Sequence, residues 1–91
     1  MHAERTVRIV NPEGLHARPC HALASMANEY RACELRVSCN GIEVDGRGIM
    51  TLMTLGAVQG DLLHLSARGE RAADLVDRLA ALVESGFEER S

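Results

Sequence analysis

The sequence predicts an α+β fold in which helices cover one face of a single β-sheet. Segments of alternating polar and apolar residues are typical of strands, and segments with apolar residues every three or four positions are typical of helices. Their order is βαββαβα, and such one-sided elements bury their apolar sides by packing helices on one face of a sheet. We expect one domain over residues 1–91, with an ordered core over about residues 4–87 and a polar tail over residues 88–91.

The composition excludes several classes of partner. Hydrophobic residues make up 46% of the chain, as in folded domains, so disorder is not expected. The net charge is −3 and only two residues are aromatic, which argues against a general nucleic-acid binder. The chain shows no signal-peptide pattern and no apolar run of membrane-spanning length. Its three cysteines are widely spaced, without a CxxC pair. We expect a cytoplasmic protein with reduced thiols and with no metal, cofactor or membrane partner.

A turn separates the first strand from the first helix. Residues 5–10 alternate polar and apolar side chains, which predicts a strand with one buried face. Residues 11–14, Asn-Pro-Glu-Gly, are typical of a turn. Apolar residues at helical spacing follow over residues 17–30. Because a helix accepts proline only in its first turn, Pro19 places the helix start close to His16.

The middle of the chain predicts a hairpin and a short helix. Residues 34–38 and 42–44 are predicted strands. Asn40 and Gly41 lie between them and tolerate the positive φ of a type I′ turn. Residues 49–55 predict a short helix that ends at a glycine.

The last strand and the longest helix complete the fold. Residues 61–67 alternate apolar and polar side chains, which predicts a fourth strand. We expect the longest helix to open at Gly69 and to end at residues 85–86. Phe87 is expected to fold back onto its last turn.

His16 lies where a helix N-terminus favours phosphoryl chemistry. Backbone N–H groups of the first helical turn have no partner within the helix, and such positions bind anions. The helix dipole disfavours a charged imidazolium, so it favours a neutral, nucleophilic ring, and it stabilises a phosphoryl group once the ring carries one. Arg18 adds paired charged donors for phosphate oxygens, beside the N–H groups of Ala17 and Arg18. Gly14 allows a tight turn before the histidine.

The same segment lacks the parts of an enzyme that turns over unaided. There is no glycine-rich phosphate loop, no set of metal ligands and no paired acid and base. A lone nucleophile beside an anion-binding helix end suits a stoichiometric carrier that partner enzymes load and unload. The simpler alternative makes His16 a helix-start residue and Arg18 a solvated side chain.

Residues 14–19, Gly-Leu-His-Ala-Arg-Pro, resemble the phosphorylation-site signature of the HPr family, the histidine phosphocarriers of the bacterial phosphotransferase system. The similarity continues through residues 48–56, residues 59–60 and the helix after Gly69. It therefore covers nearly the whole chain. The resemblance implies an open-faced β-sandwich, in which a four-stranded antiparallel sheet carries three helices on one side.

The resemblance also implies a function and its partners. His16 would accept a phosphoryl group on Nδ1 from phosphorylated enzyme I and pass it to an enzyme IIA, with Arg18 as the anion partner. Sugar uptake and a nitrogen-related regulatory branch both remain open, and we expect a monomer. One alternative is a regulatory module that binds partners without carrying phosphate. Amino-acid-sensing domains fit the element order, but they give no reason for the residues around His16.

In HPr-like proteins the short helix belongs to the docking surface for partners. We therefore expect Leu15, Ile49, Met50 and Met53 to take part in docking, since flexible thioethers suit a surface that meets several partners. Gly48 is a departure from the family pattern. Many Gram-positive members carry a regulatory serine at this position, and glycine has no hydroxyl to phosphorylate.

The remaining candidates have simpler explanations. Cys20 lies four residues after His16 on one helix face, but it also falls on the apolar stripe, so a buried thiol is expected. His21 is expected to be solvated. His64 falls on the polar side of the last strand and receives no role, and His2 is expected in a mobile terminus.

Overall fold

A computed structural model of the protein describes residues 1–88. The other three residues of the predicted polar tail, 89–91, lie outside the described residues. The strands are β1 (His2–Arg8), β2 (Cys33–Cys39), β3 (Ile42–Asp45) and β4 (Leu62–Gly69). The helices are α1 (Ala17–Asn28), α2 (Ile49–Met53) and α3 (Ala72–Glu84), followed by a 3-10 turn at Gly86–Glu88.

The four strands form one antiparallel sheet in the order β1-β4-β2-β3. Its register places Leu65 of β4 opposite Arg5 on one side and Val37 on the other. Along β4 and β2 every second side chain is buried, and the intervening ones are exposed or half-buried. The helices therefore cover one face of the sheet and leave the other open. The predicted four-stranded antiparallel sheet with three helices in the order βαββαβα is confirmed.

The core lies between the sheet and the helices and is mainly aliphatic. Burying one leucine or valine side chain contributes about 1.5–3 kcal/mol, so this cluster is the main stabilising element. Phe87 packs beside the end of α3, as predicted, and the 3-10 turn includes Glu88, which was expected in the polar tail. The largest fully buried side chains are Ile9, Leu23, Leu35, Leu52, Leu63, Leu65, Leu75 and Leu79.

The structure corrects the predicted start of the longest helix. Gly69 is the last residue of β4, pairs with Cys33, and donates its N–H to the carbonyl of Met1 at 2.8 Å. A side chain at this position would collide with the carbonyl oxygen of Ala32, which explains the glycine. The helix begins at residue 72, after Arg71 has adopted a left-handed conformation with φ 63°. The sequence pattern does not predict that Arg68 and Gly69 belong to the strand, because this extension depends on their pairing with Glu34 and Cys33 of β2.

The chain is also ordered closer to its start than the sequence predicts. His2 belongs to β1, and its Nε2 lies 3.0 Å from the hydroxyl of Ser66 and 3.3 Å from the carboxylate of Glu4. The expected mobile terminus at His2 is therefore wrong. His64 joins the same carboxylate at 2.6 Å and the hydroxyl of Thr6 at 2.9 Å. Both histidines thus help to join β1 to β4 across the open face of the sheet.

The predicted hairpin and the end of the short helix depend on positive φ angles. Asn40 and Gly41 have φ angles of 51° and 84°, as a type I′ turn requires, so the hairpin prediction is confirmed. The regular part of α2 ends at Met53, two residues earlier than predicted. Gly56, with φ 58°, then reverses the chain and donates its N–H to the carbonyl of Met53 at 3.2 Å.

Candidate functional site

The first helix begins directly after His16. His16 is the N-cap of α1, with an extended backbone at φ −85° and ψ −172°, and its side chain does not cap the helix within residues 1–88. Its carbonyl accepts the N–H of Cys20 at 3.1 Å, which is the first hydrogen bond of the helix. The N–H groups of Ala17 and Arg18 consequently have no partner within α1, and Pro19 has none to satisfy. The helix start predicted from Pro19 is confirmed.

A tight turn fixes the position of His16 relative to the rest of the fold. Gly14 has φ 64° and donates its N–H to the carbonyl of Asn11 at 3.1 Å, while the Asn11 side chain donates to the Gly14 carbonyl at 2.9 Å. The N–H of Leu15 donates to the carbonyl of Ala57 at 3.0 Å. A Cβ on Gly14 would lie 2.6 Å from that same Ala57 oxygen. Only glycine therefore fits this turn without strain.

The side chains at the helix start combine a nucleophile with cationic and anionic groups. The side chain of His16 is 29% exposed, and its Nε2 lies 3.6 Å from a carboxylate oxygen of Glu13. The exposed guanidinium of Arg18 makes no hydrogen bond or ion pair with another residue of the described chain. The site thus presents an accessible imidazole, open N–H groups and a guanidinium that can bind an anion.

The short helix exposes three of the four side chains expected to dock partners. Met50 is 78% exposed, Met53 41% and Ile49 36%, and we call these three residues the α2 patch. Leu15 does not belong to this surface. It is 6% exposed and lies in the core, so its expected docking role is wrong. The hydrogen bond that ties Leu15 to the loop after α2 turns its side chain inward, a contact that its place in the motif does not reveal.

Two side chains at this end of the molecule were missed by sequence reasoning. Val58 is an apolar side chain that is 58% exposed. It comes directly after Ala57, whose carbonyl accepts the N–H of Leu15, so it lies next to the turn before His16. The sequence pattern identifies Glu13 only as a turn residue, yet its carboxylate lies 3.6 Å from the ring of His16. Its position three residues before the histidine was the available signal, but the turn that brings them together is set by contacts with distant residues.

Gly48 is the N-cap of α2, with φ −109° and ψ 125°, a backbone that any residue adopts. The glycine is therefore not required by conformation. A Cβ at this position would lie 2.9 Å from the hydroxyl of Thr51, which can rotate away because it ends a side chain. The fold therefore accepts a hydroxyl-bearing residue at position 48, although this chain has glycine at that position.

Cys20 is fully buried, and its Sγ lies 3.6 Å from the carbonyl oxygen of Leu15. Burial raises the pKa of its thiol to about 11, so the thiol remains protonated at neutral pH. This confirms the predicted packing role.

His21 is exposed, as expected. No set of three or more histidine, cysteine or acidic side chains in residues 1–88 is arranged to hold a metal ion. Across the same residues, no helix has the length and apolarity of a membrane span.

Comparisons with known proteins agree with this geometry. The family model of the PTS HPr component phosphorylation site matches residues 3–85. The chain is 37% identical over 84 residues to the phosphocarrier protein HPr of Pseudomonas aeruginosa, covering 91% of this chain and 92% of that protein. It is 31% identical over 85 residues to the phosphocarrier protein NPr of Proteus mirabilis, covering 93% and 94%.

The fold is likewise similar to a solved structure of the same family. The crystal structure of HPr-C-His from Thermoanaerobacter tengcongensis superposes with a TM-score of 0.90 at 34% sequence identity, over 98% of this chain and 99% of that one. The matched family region contains the whole turn before α1 and the partly exposed imidazole at its N-cap. From its sequence and from its fold, this chain belongs to the HPr family of phosphocarrier proteins of the phosphotransferase system.

Proposed function

We propose that this chain accepts a phosphoryl group on Nδ1 of His16 from phosphorylated enzyme I and passes it to an enzyme IIA. The observation that carries the proposal is the accessible imidazole at the N-cap of α1. The ring lies beside the N–H groups of Ala17 and Arg18, which have no partner within the helix and can bind an anion. Membership of the HPr family supports it. The chain would act as a stoichiometric carrier, because each round needs a donor and an acceptor protein.

The proposed chemistry uses the same helix end before and after transfer. The Nδ1 lone pair of His16 attacks the phosphorus atom, and the new phosphoryl oxygens accept hydrogen bonds from the N–H groups that begin α1. The guanidinium of Arg18 adds charged hydrogen bonds and offsets the phosphoryl charge. The helix dipole also favours a negative group at this end. Together these interactions hold the phosphoryl group until an acceptor protein binds.

We assign partner docking to the α2 patch. Its three apolar side chains are exposed on the helix that packs against α1, so a partner could cover them while reaching His16. Methionines adapt to differently shaped partners, as exchange between enzyme I and an enzyme IIA requires. We further propose a cytoplasmic monomer, in keeping with the three free and buried cysteines. Relatives named HPr and NPr leave the sugar-uptake and nitrogen-related branches equally open.

The test is to incubate the purified chain with phosphoenolpyruvate and a compatible enzyme I. We expect one acid-labile, alkali-stable phosphate per chain, with a phosphorus–nitrogen coupling that assigns it to Nδ1 of His16 by NMR. Adding an enzyme IIA should then discharge the label. If the folded chain binds enzyme I but takes up no phosphate, it is instead a regulatory module that binds partners without phosphoryl transfer.

Replacing Arg18 by glutamine should lower the rate of phosphoryl transfer to the chain about 10- to 100-fold, because charged hydrogen bonds to phosphate contribute about 1.5–3 kcal/mol each. Lysine at this position should recover part of the rate, since it restores charge but not the paired geometry. Initial rates of labelling by enzyme I measure both. Arg31, exposed beyond the other end of α1, is the matched control, and Arg31→Gln should label at the normal rate. Equal rates in the two glutamine variants would refute the role of Arg18.

Replacing Met50 by lysine should raise the KM of enzyme I for this chain about tenfold, since the charge disrupts an apolar contact at the proposed docking surface. The free energy of unfolding should change by less than about 0.5 kcal/mol, because an exposed side chain contributes little packing. Leu62 provides the control. It is 51% exposed on the open face of the sheet, and Leu62→Lys should leave KM unchanged. A similar KM increase in both variants would point to a general charge effect.

A further inference from the structure

We propose that Glu13 is a positioning residue for His16: its carboxylate holds the proton on Nε2 and so reserves Nδ1 for the phosphoryl group. The inference rests on the proposed function, because it names a group that regulates the same imidazole. It concerns a side chain just outside the Gly-Leu-His-Ala-Arg-Pro segment. Glu13 would act through the ring and would not touch the phosphoryl group itself.

The geometry places the carboxylate beside one particular ring nitrogen. A carboxylate oxygen of Glu13 lies 3.6 Å from Nε2 of His16, within ion-pair range and longer than a hydrogen bond. The two residues belong to one hydrogen-bonded turn, in which the N–H of His16 donates to the carbonyl of Gly14 at 3.0 Å. The backbone that presents the histidine therefore also brings the Glu13 side chain within reach of the ring. A small rotation of the Glu13 side chain, which is 77% exposed, would complete the hydrogen bond.

A carboxylate at this place selects one of the two neutral forms of imidazole. An ionised carboxylate only accepts hydrogen bonds, so it favours the form in which the facing nitrogen, Nε2, carries the proton. In that form the lone pair lies on Nδ1, the nitrogen on the other side of the ring. Glu13 thus selects the tautomer that can attack phosphorus through Nδ1.

The same carboxylate also acts after transfer. The Nδ1 lone pair bonds to phosphorus as the bond from phosphorus to the donor atom breaks, and that electron pair stays with the donor atom. The proton remains on Nε2, so the ring becomes a cation that carries a phosphoryl dianion. Glu13 stabilises this cation by helping Nε2 to keep its proton. When the group is passed on, the Nδ1–P electron pair returns to the ring, which leaves as a neutral imidazole.

The first test needs no phosphate and measures the ring directly. Nitrogen-15 NMR of the unphosphorylated protein reports how the neutral His16 ring divides between its two tautomers. In Glu13→Gln the ratio of the Nε2–H form to the Nδ1–H form should fall about two- to fivefold, the range expected for an exposed charge pair. Glu13→Asp should retain part of the preference. Glu43→Gln, which removes an exposed charge on β3, should leave the ratio unchanged.

The second test follows the phosphorylated protein at a fixed pH near 7. Glu13→Gln should lose its phosphate about two- to fivefold more slowly than the parent or Glu43→Gln, because its ring loses the Nε2 proton more readily and becomes a poorer leaving group. High salt should shrink the difference by screening the charge. Unchanged tautomers and unchanged phosphate lifetimes would overturn the inference while leaving the carrier function intact. If no variant takes up phosphate, the proposed function fails, and the tautomer ratio still decides whether Glu13 acts on the ring.

Discussion

Replacing His16 by alanine is expected to abolish phosphate incorporation from phosphoenolpyruvate and enzyme I, while the free energy of unfolding changes by less than about 1 kcal/mol. Loss should be complete because the proposed reaction forms a bond to the ring itself. Stability should be nearly unchanged because the ring is partly exposed and does not cap α1 within the described chain. Phosphate labelling and urea unfolding measure the two effects.

His21 supplies the matched control for this variant. It is an exposed histidine on the same helix, so His21→Ala removes the same ring and should keep one labelled site per chain. Two results would contradict the prediction. Labelling of His16→Ala would place the phosphate elsewhere, and a large loss of stability would mean that His16 is mainly a structural residue of the helix start.

Replacing Gly14 by alanine is expected to destabilise the protein by about 2–4 kcal/mol. A left-handed backbone costs a residue with a side chain about 1–2 kcal/mol. The new methyl group would also lie 2.6 Å from the Ala57 carbonyl oxygen and 2.8 Å from Cα of Val58, so backbone must move. That movement would shift His16, and phosphate labelling should fall even at temperatures where the variant is folded. Urea unfolding measures the stability loss, and the slope of the unfolding free energy against urea concentration should stay unchanged.

Gly56 separates the two causes of that loss. Its φ of 58° is close to that of Gly14, but a Cβ there meets nothing within 4 Å. Gly56→Ala should therefore show only the backbone effect, about 1–2 kcal/mol, and should label at the normal rate. If Gly14→Ala were no less stable than Gly56→Ala, the close approach to the loop after α2 would not constrain the turn that presents His16.

Local rules were sufficient for the type and order of the elements and for the central residue of the site, but not for every boundary. Pro19 is accepted only in a first helical turn, so it places the start of α1 beside His16 without any tertiary information. Asn40 and Gly41 determine their turn because both tolerate positive φ. Alternation along β4 predicted which of its side chains are buried. Each of these depends on neighbours in the chain, which is why the sequence reveals it.

Contacts between distant segments decided the rest. Leu15 is buried because its N–H bonds to the loop after α2, and the start of β1 is ordered because His2 lies across from β4. Gly69 extends a strand because β2 approaches it closely. The sequence by itself determined the fold class and the histidine at the helix start. Only the tertiary structure decided which surface surrounds that histidine. It also placed the Glu13 carboxylate beside the ring, because the turn that carries both residues packs against the distant loop after α2.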